Sequence, residues 1–158
     1  MKKTSLLFVC LGNICRSPAA EGITKKIAED IGLSDLIYVD SAGIGNWHVG
    51  QPADARMRKQ GYSRGYNFNG KARQILMSDF NLFDYIIAMD NENYSYLLGM
   101  APDNNSKKKI LLMSDYLKSY TNYHSIPDPF YGNNNDFENV INLLEDACEN
   151  LLISLVNK

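Results

Sequence analysis

A chain of 158 residues is the length of one ordinary domain, which speaks against two large ones. Its 16 Lys plus Arg against 18 Asp plus Glu leave a net charge of −2, too neutral for a general nucleic-acid or membrane-surface binder. With 45% hydrophobic and 11% aromatic residues the composition builds a core, and three cysteines are too few for a disulfide scaffold, so a reducing, cytoplasmic setting is expected.

Lys2-Lys3 and the apolar stretch 5–11 imitate a secretory signal, but Asn13 and Arg16 interrupt it before Ala19-Ala20. The segment reads instead as a buried strand feeding a polar turn. No run approaches the ~20 apolar residues that span a bilayer, so no membrane insertion is expected. Runs rich in β-branched and aromatic residues alternate with helical segments, the pattern of βα units and a mostly parallel sheet. The first strand covers 5–9. Pro18 suits the first turn of a helix whose body, 19–31, ends near Gly32. A strand over 36–40 runs into a glycine-rich turn, 41–47. A helix over 54–60 is expected to close at Gly61, followed by loop over 62–70. Ser78-Asp79 caps a short helical turn, and a third strand covers 85–89. A helix over 92–98 and a fourth strand over 109–113 follow. The last helix, 136–156, carries Phe137, Val140, Ile141, Leu144, Cys148, Leu151 and Leu155 at spacings of three and four, which assigns Cys148 to the core. Between that helix and the fourth strand lies an irregular stretch, 116–135, and loops of such length in compact domains are functional or disordered.

The chemistry concentrates in Val9-Cys10-Leu11-Gly12-Asn13-Ile14-Cys15-Arg16-Ser17-Pro18, between the first strand and the first helix. Ligands of open α/β sheets sit beyond the carboxyl ends of the strands. The amides from Leu11 to Ser17 are expected to converge with a helix N-terminus into an anion cradle. Gly12 and Asn13 are the residue types that tolerate positive φ there. Arg16 offers a planar fork to phosphate oxygens. Cations and helix N-termini favour the thiolate, which makes Cys10 a candidate nucleophile, and Ser17 could donate its hydroxyl proton to that sulfur. Taken alone, Cys10 reads equally as a small hydrophobe ending a buried strand. The cysteine, five residues and arginine together favour catalysis. Other ligand loops fit badly. There is no Gly-Lys-Ser/Thr for a Walker loop, and His48 stands where a dinucleotide fingerprint after Gly43-Ile44-Gly45 needs its third glycine. Cys10 and Cys15 are wrongly spaced for a structural zinc pair, with only His48 and His124 to complete it. No metal and no cofactor are expected.

The Cys10 to Ser17 segment, together with Asp128-Pro129-Phe130-Tyr131-Gly132, resembles the two motifs of the low-molecular-weight protein tyrosine phosphatases. Val39-Asp40-Ser41-Ala42, Ala72-Arg73-Gln74-Ile75, Phe83-Asp84-Tyr85-Ile86 and Met89-Asp90 extend the resemblance over essentially the whole chain. It implies a single α/β domain over 1–158, an open, flavodoxin-like sheet of four parallel strands in order 2-1-3-4 flanked by helices. It implies metal-independent hydrolysis of phosphotyrosine in proteins and of small aryl phosphates through a phosphocysteine. Cys10 would be the nucleophile. Arg16 and the loop Leu11, Gly12, Asn13, Ile14, Cys15 and Ser17 would hold the phosphate. Asp128, by itself only a turn residue before proline, would serve as general acid and then general base. Asn13, Ser17 and Ser41 would brace the loop, and Asp90 would hold the structure behind it. Leu11, Trp47, Phe130 and Tyr131 would wall an aryl slot, and Cys15 would protect Cys10 by a reversible disulfide. Partners would be phosphotyrosine-containing proteins, with inorganic phosphate as product and inhibitor, acting on a monomer or weak dimer.

Two positions depart from the family pattern: Phe130 replaces a frequent tyrosine, and Gly70 stands where a histidine often braces the loop. Three rivals are weighed. A thioredoxin-type arsenate reductase on this fold needs further cysteines, which 78–99 lacks. A protein arginine phosphatase carries threonine where Ile14 stands. A non-catalytic phosphotyrosine-binding module needs neither the thiol of Cys10 nor the carboxyl of Asp128.

Overall fold

The structure, a computed structural model, describes residues 2–157. Met1 and Lys158, which the sequence reading includes in the domain, lie outside the described residues. Strand β1 (Thr4–Cys10) is buried on both faces from Leu6 onward, as a central parallel strand must be. It pairs in parallel with β2 (Ile37–Gly43) on one side and β3 (Tyr85–Ala88) on the other. β4 (Ile110–Leu112) pairs with β3, giving the expected order β2-β1-β3-β4.

Side chains of β1 alternate between two cores. Leu6, Phe8 and Cys10 join Ile23 of α1 (Arg16–Asp30), Met57 of α2 (Ala55–Ser63), and Val140, Leu144 and Leu151 of α6 (Asn134–Val156). Leu7 and Val9 face the opposite way, onto Phe80 of α3 (Asp79–Leu82) and Leu97 of α4 (Asn91–Met100). Full burial of each such side chain stabilises by about 1.5–3 kcal/mol, so both faces of the sheet are anchored by its central strand.

Several boundaries differ from the sequence expectation, each for a local reason. α1 starts at Arg16, so the end of the cysteine loop is itself the first helical turn, with Pro18 inside that turn. α2 runs past Gly61 to Ser63. Gly61 is not its terminator; it makes room for Phe68, whose Cε2 would lie 2.2 Å from a Cβ there. A five-residue helix, α5 (Asn104–Lys108), is capped by Asp103, whose carboxylate accepts from the Ser106 amide at 2.7 Å. α6 begins two residues early because Asn133 and Asp136 form a reciprocal capping box. Among the described residues no helix is long and apolar enough to cross a membrane.

The parallel register aligns the carboxyl ends of three strands. Cys10 stands opposite Gly43, and Val9 opposite Ala88, one step before Met89-Asp90.

Candidate active site

The turn from Cys10 to Arg16 depends on one strained residue. Asn13 has φ +58°, the only positive φ of a non-glycine among the described residues. Its side chain holds that conformation by donating from Nδ2 to Ser17 Oγ (2.8 Å) and Ser41 Oγ (3.0 Å), while Oδ1 accepts from the Arg73 amide (2.9 Å). Gly12 does not carry the positive φ expected of it. A Cβ there would lie 3.0 Å from His48 Cδ2, a close contact with a partly exposed ring. Gly43, opposite, allows close backbone approach: its Cβ would lie 3.0 Å from the Gly12 carbonyl carbon and 3.1 Å from the Asn13 nitrogen.

Three carbonyls of the loop are turned outward. Cys10 O accepts from the Ile44 amide (3.0 Å), Leu11 O from the Gly45 amide (2.9 Å) and Ile14 O from the Asp54 amide (2.7 Å). A trans peptide points its N–H opposite its C=O. The amides of Leu11, Gly12 and Cys15 therefore point toward the loop's interior, as an anion cradle needs.

Cys10 and Arg16 are 3% and 2% exposed, so both are reached only through the cradle. Cys10 Sγ lies 3.0 Å from Ser17 Oγ; that oxygen accepts from Asn13, and its own proton has two acceptors within reach, the sulfur and, farther off at 3.5 Å, the Ala42 carbonyl. The brace continues outward: Ser41 Oγ donates to Glu21 Oε1 (2.7 Å), and Glu21 pairs with Lys25. Gly70 adjoins this carboxylate, 3.9 Å from Glu21 Oε1 to a Cβ at Gly70, so Glu21 braces the loop here without a histidine beside it.

Arg16 Nη1 donates to Asp90 Oδ2 (2.7 Å) and to the Ile126 carbonyl (3.0 Å), and Nη2 lies 3.6 Å from Asp128 Oδ2. Burial pulls the guanidinium toward losing its proton, but Cys10, the hydrogen bond to Asp90 and the charge of Asp128 outweigh it and raise its pKa. Asp90 uses its other oxygen to cap α4, accepting from the Asn93 amide (2.7 Å), which fixes the carboxylate behind Arg16. Cys15 is buried, and its thiol is pushed up by burial and then by the Asp54 carboxylate, so it stays protonated at neutral pH.

Asp128 lies beside Arg16 on the long loop, with Oδ1 accepting from the Phe130 amide at 3.1 Å. A cleft of about 400 Å³ opens over Cys10 and Arg16, a volume suited to a small-molecule group. Leu11, Trp47, Phe130 and Tyr131 line it, with the loop from Cys10 to Arg16 as floor. Trp47 and Tyr131 are 64% and 96% exposed, so they form a rim rather than a closed slot. Phe130 meets Tyr131 edge-on at 4.9 Å.

Four contributors escape the sequence reading. His48 lines the cleft, Glu21 ends the serine–asparagine network, and Arg73 ties its own amide to Asn13 while its guanidinium spans Asp40 and Asp79. Arg56 is the fourth, donating to the Phe130 carbonyl at 2.9 Å. The contacts by which Glu21, Arg73 and Arg56 reach the two loops and Ser41 join residues 20 or more apart, and neither periodicity nor spacing marks such pairs.

Comparison with known proteins agrees in sequence and in shape. The profile of the low molecular weight phosphotyrosine protein phosphatases matches residues 5–158. A low molecular weight protein-tyrosine-phosphatase of Bacillus subtilis is 45% identical over 152 residues, 96% of this chain and 95% of that one. The low molecular weight phosphotyrosine protein phosphatase of Sus scrofa is 40% identical over 150 residues, 94% of this chain and 93% of its own. A crystal structure of a protein tyrosine phosphatase from Entamoeba histolytica, with Hepes in its active site, superposes with a TM-score of 0.95 at 50% identity, covering 98% of both chains. Since the likeness extends through strands, loop and final helix alike, this chain belongs to the low molecular weight phosphotyrosine protein phosphatase family.

Proposed function

We propose that the chain hydrolyses phosphotyrosine in proteins, and small aryl phosphates, through a phosphocysteine and without a metal. The observation that carries this reading is a buried Arg16 between two carboxylates, one capping a helix behind it and one on the loop over the cleft, beside a cysteine that receives a hydroxyl contact.

Cys10 Sγ, as thiolate, attacks phosphorus; the S–P bond forms as the P–O bond to the aryl group breaks. Arg16 and the inward amides hold the non-bridging oxygens as charge shifts among them. Asp128, protonated, passes its proton to the departing phenolic oxygen. Water then attacks phosphorus, Asp128 takes the water's proton, and the S–P electron pair returns to Cys10. Ser17 Oγ, 3.0 Å away, donates to that sulfur and makes it a better leaving group. Asn13 and Ser41 keep Ser17 in place. The aryl ring lies among Leu11, Trp47, Phe130 and Tyr131. Ile14 presents an apolar side chain to the cleft, which favours an aryl ester over a phosphorylated guanidinium.

The reading includes phosphotyrosine-containing proteins as substrates, inorganic phosphate as product and competitive inhibitor, a cytoplasmic monomer or weak dimer, and Cys15 as redox guard of Cys10. Rates on phosphotyrosine, phosphoserine and phosphoarginine peptides with chelator present test the substrate class; preference for phosphoarginine, or dependence on added metal, overturns it. Cys10→Ser is expected to abolish turnover of p-nitrophenyl phosphate, and full residual activity would refute the nucleophile. Asp128→Ala is expected to slow phosphotyrosine more than p-nitrophenyl phosphate, whose leaving group needs less protonation; equal losses would remove its role as acid.

A further inference from the structure

Asp128 sits on a loop that lacks regular structure from residue 117 to the cap of α6, yet an acid must be held within fractions of an ångström to act. Two tethers bracket it. On the upstream side, the Ile126 amide donates to the Met89 carbonyl at 2.8 Å, and the Ile126 carbonyl accepts from Arg16. On the downstream side, the Phe130 amide is taken by the Asp128 carboxylate, and the Phe130 carbonyl by Arg56 Nη2 at 2.9 Å.

Arg56 is itself fixed on several sides. Asp54 Oδ1 accepts from Arg56 Nε (3.0 Å) and from the Arg56 amide (2.9 Å), and Asp54 Oδ2 accepts from Nη2 (2.9 Å). The guanidinium carbon lies 4.5 Å from the centre of the Phe137 ring and 5.6 Å from that of Phe130, within cation–π range of both. The Asp54 amide donates to Ile14 O in the phosphate loop. Two residues at the start of α2, Asp54 and Arg56, thus join the loop that holds phosphate to the loop that carries the acid.

We infer that Arg56 is a positioning residue for Asp128, holding the acid loop in register with the phosphate loop through the Phe130 carbonyl and the Asp54 bridge. The inference rests on the reading of Asp128 as acid. Arg56 is not among the residues that line the cleft; its effect passes through the backbone of Phe130. A merely structural arginine, gluing α2 to α6 through Phe137, would affect stability and all kinetic steps alike.

A double-mutant cycle separates these cases. Arg56→Gln is expected to lower kcat/KM for a phosphotyrosine peptide about tenfold, as from a misplacement smaller than the roughly 1 Å that can cost about a hundredfold. In an Asp128→Ala background the same substitution is expected to cost less than twofold, because there is no acid left to position. The inhibition constant for inorganic phosphate is expected to stay within twofold, since the cradle is intact. Arg56→Lys, which keeps a donor and loses the fork, is expected to recover part of the rate; it carries the same cycle if the glutamine variant fails to fold. Equal losses in both backgrounds, or a wild-type rate for folded Arg56→Gln, overturn the inference while leaving the acid in place. A wild-type rate for Asp128→Ala alone refutes the acid reading instead.

Discussion

Replacing Asn13 by alanine removes three side-chain hydrogen bonds at once, to Ser17, Ser41 and the Arg73 amide, around a residue held at φ +58°. Each bond is worth about 1 kcal/mol net when its partners are buried, and an alanine in the left-handed region costs about 1 kcal/mol more. The sum is about 4 kcal/mol, a large share of the roughly 5–15 kcal/mol that holds an ordinary domain. Asn13→Gly loses the same bonds and avoids the conformational cost, so it should be milder by about 1 kcal/mol. Urea unfolding at neutral pH, with slopes compared to confirm two-state behaviour, gives both differences. Activity adds a second reading, because Ser17 loses the donor that turns its proton toward Cys10. The alanine variant is therefore expected to lose about tenfold or more in kcat/KM. An alanine variant within 1 kcal/mol of wild type, or a glycine variant no milder than alanine, would refute the claim that this side chain maintains the strained turn.

Asp90→Ala strips Arg16 of its 2.7 Å partner, and the guanidinium is then expected to swing toward Asp128. The inhibition constant for phosphate should rise about tenfold, and an unchanged constant would exclude a role in aiming Arg16. Mild hydrogen peroxide should oxidise Cys10 to the sulfenic acid, whose sulfur the Cys15 thiol attacks with loss of water to give a disulfide. Intact mass should show loss of two hydrogens, reversed by thiol together with activity; a Cys10 sulfinic acid as sole product would sink the idea. The Asp54 carboxyl is held below its ordinary value by its hydrogen bonds from Arg56, against the opposing effect of burial. A depressed carboxyl contributes stability that is fully present above its unfolded pKa of about 3.9 and is lost as pH falls through the lower folded value. The stability advantage of wild type over Asp54→Asn should therefore be level from pH 7 to about pH 5 and shrink below about pH 4. An advantage equal at pH 2.5 and pH 7 would show that charge contributes nothing there.

The succession of strands and the two motif loops were legible because they rest on short-range signals, β-branched runs, a cysteine and arginine six apart and an Asp-Pro turn, whereas the sheet order followed only from the family resemblance. Helix ends were less so. Gly61 looked like a terminator because glycine commonly is one, but Phe68, packed against its bare backbone, decides the matter from outside the helix. α5 was missed because Asn104–Lys108 is a single polar turn whose stability comes from the Asp103 cap, with no apolar stripe to reveal it. The bracing of the site divides in the same way. Asn13, Ser17 and Ser41 were readable from the motifs, whereas Arg56 and Arg73 reach the loops across 74 and 60 residues of chain. Arginines of this kind are indistinguishable in sequence from solvated ones. Gly12 shows the opposite error: the left-handed conformation read into both it and Asn13 belongs to Asn13 alone.

Cys10 is the seventh residue of β1 and shares its face with Leu6 and Phe8, toward α1 and α6. Strand side chains alternate strictly, so the direction of the Cys10 sulfur is a matter of odd and even. Adding or deleting one residue in β1 would aim the sulfur at the layer of Leu7 and Val9, beneath α3 and α4, with Arg16 on the far side of the sheet. A one-residue insertion or deletion within β1 therefore sets Cys10 against the pattern of Leu6 and Phe8, so that either the site or the core loses its side chains to the wrong face, whereas a change by two residues preserves both.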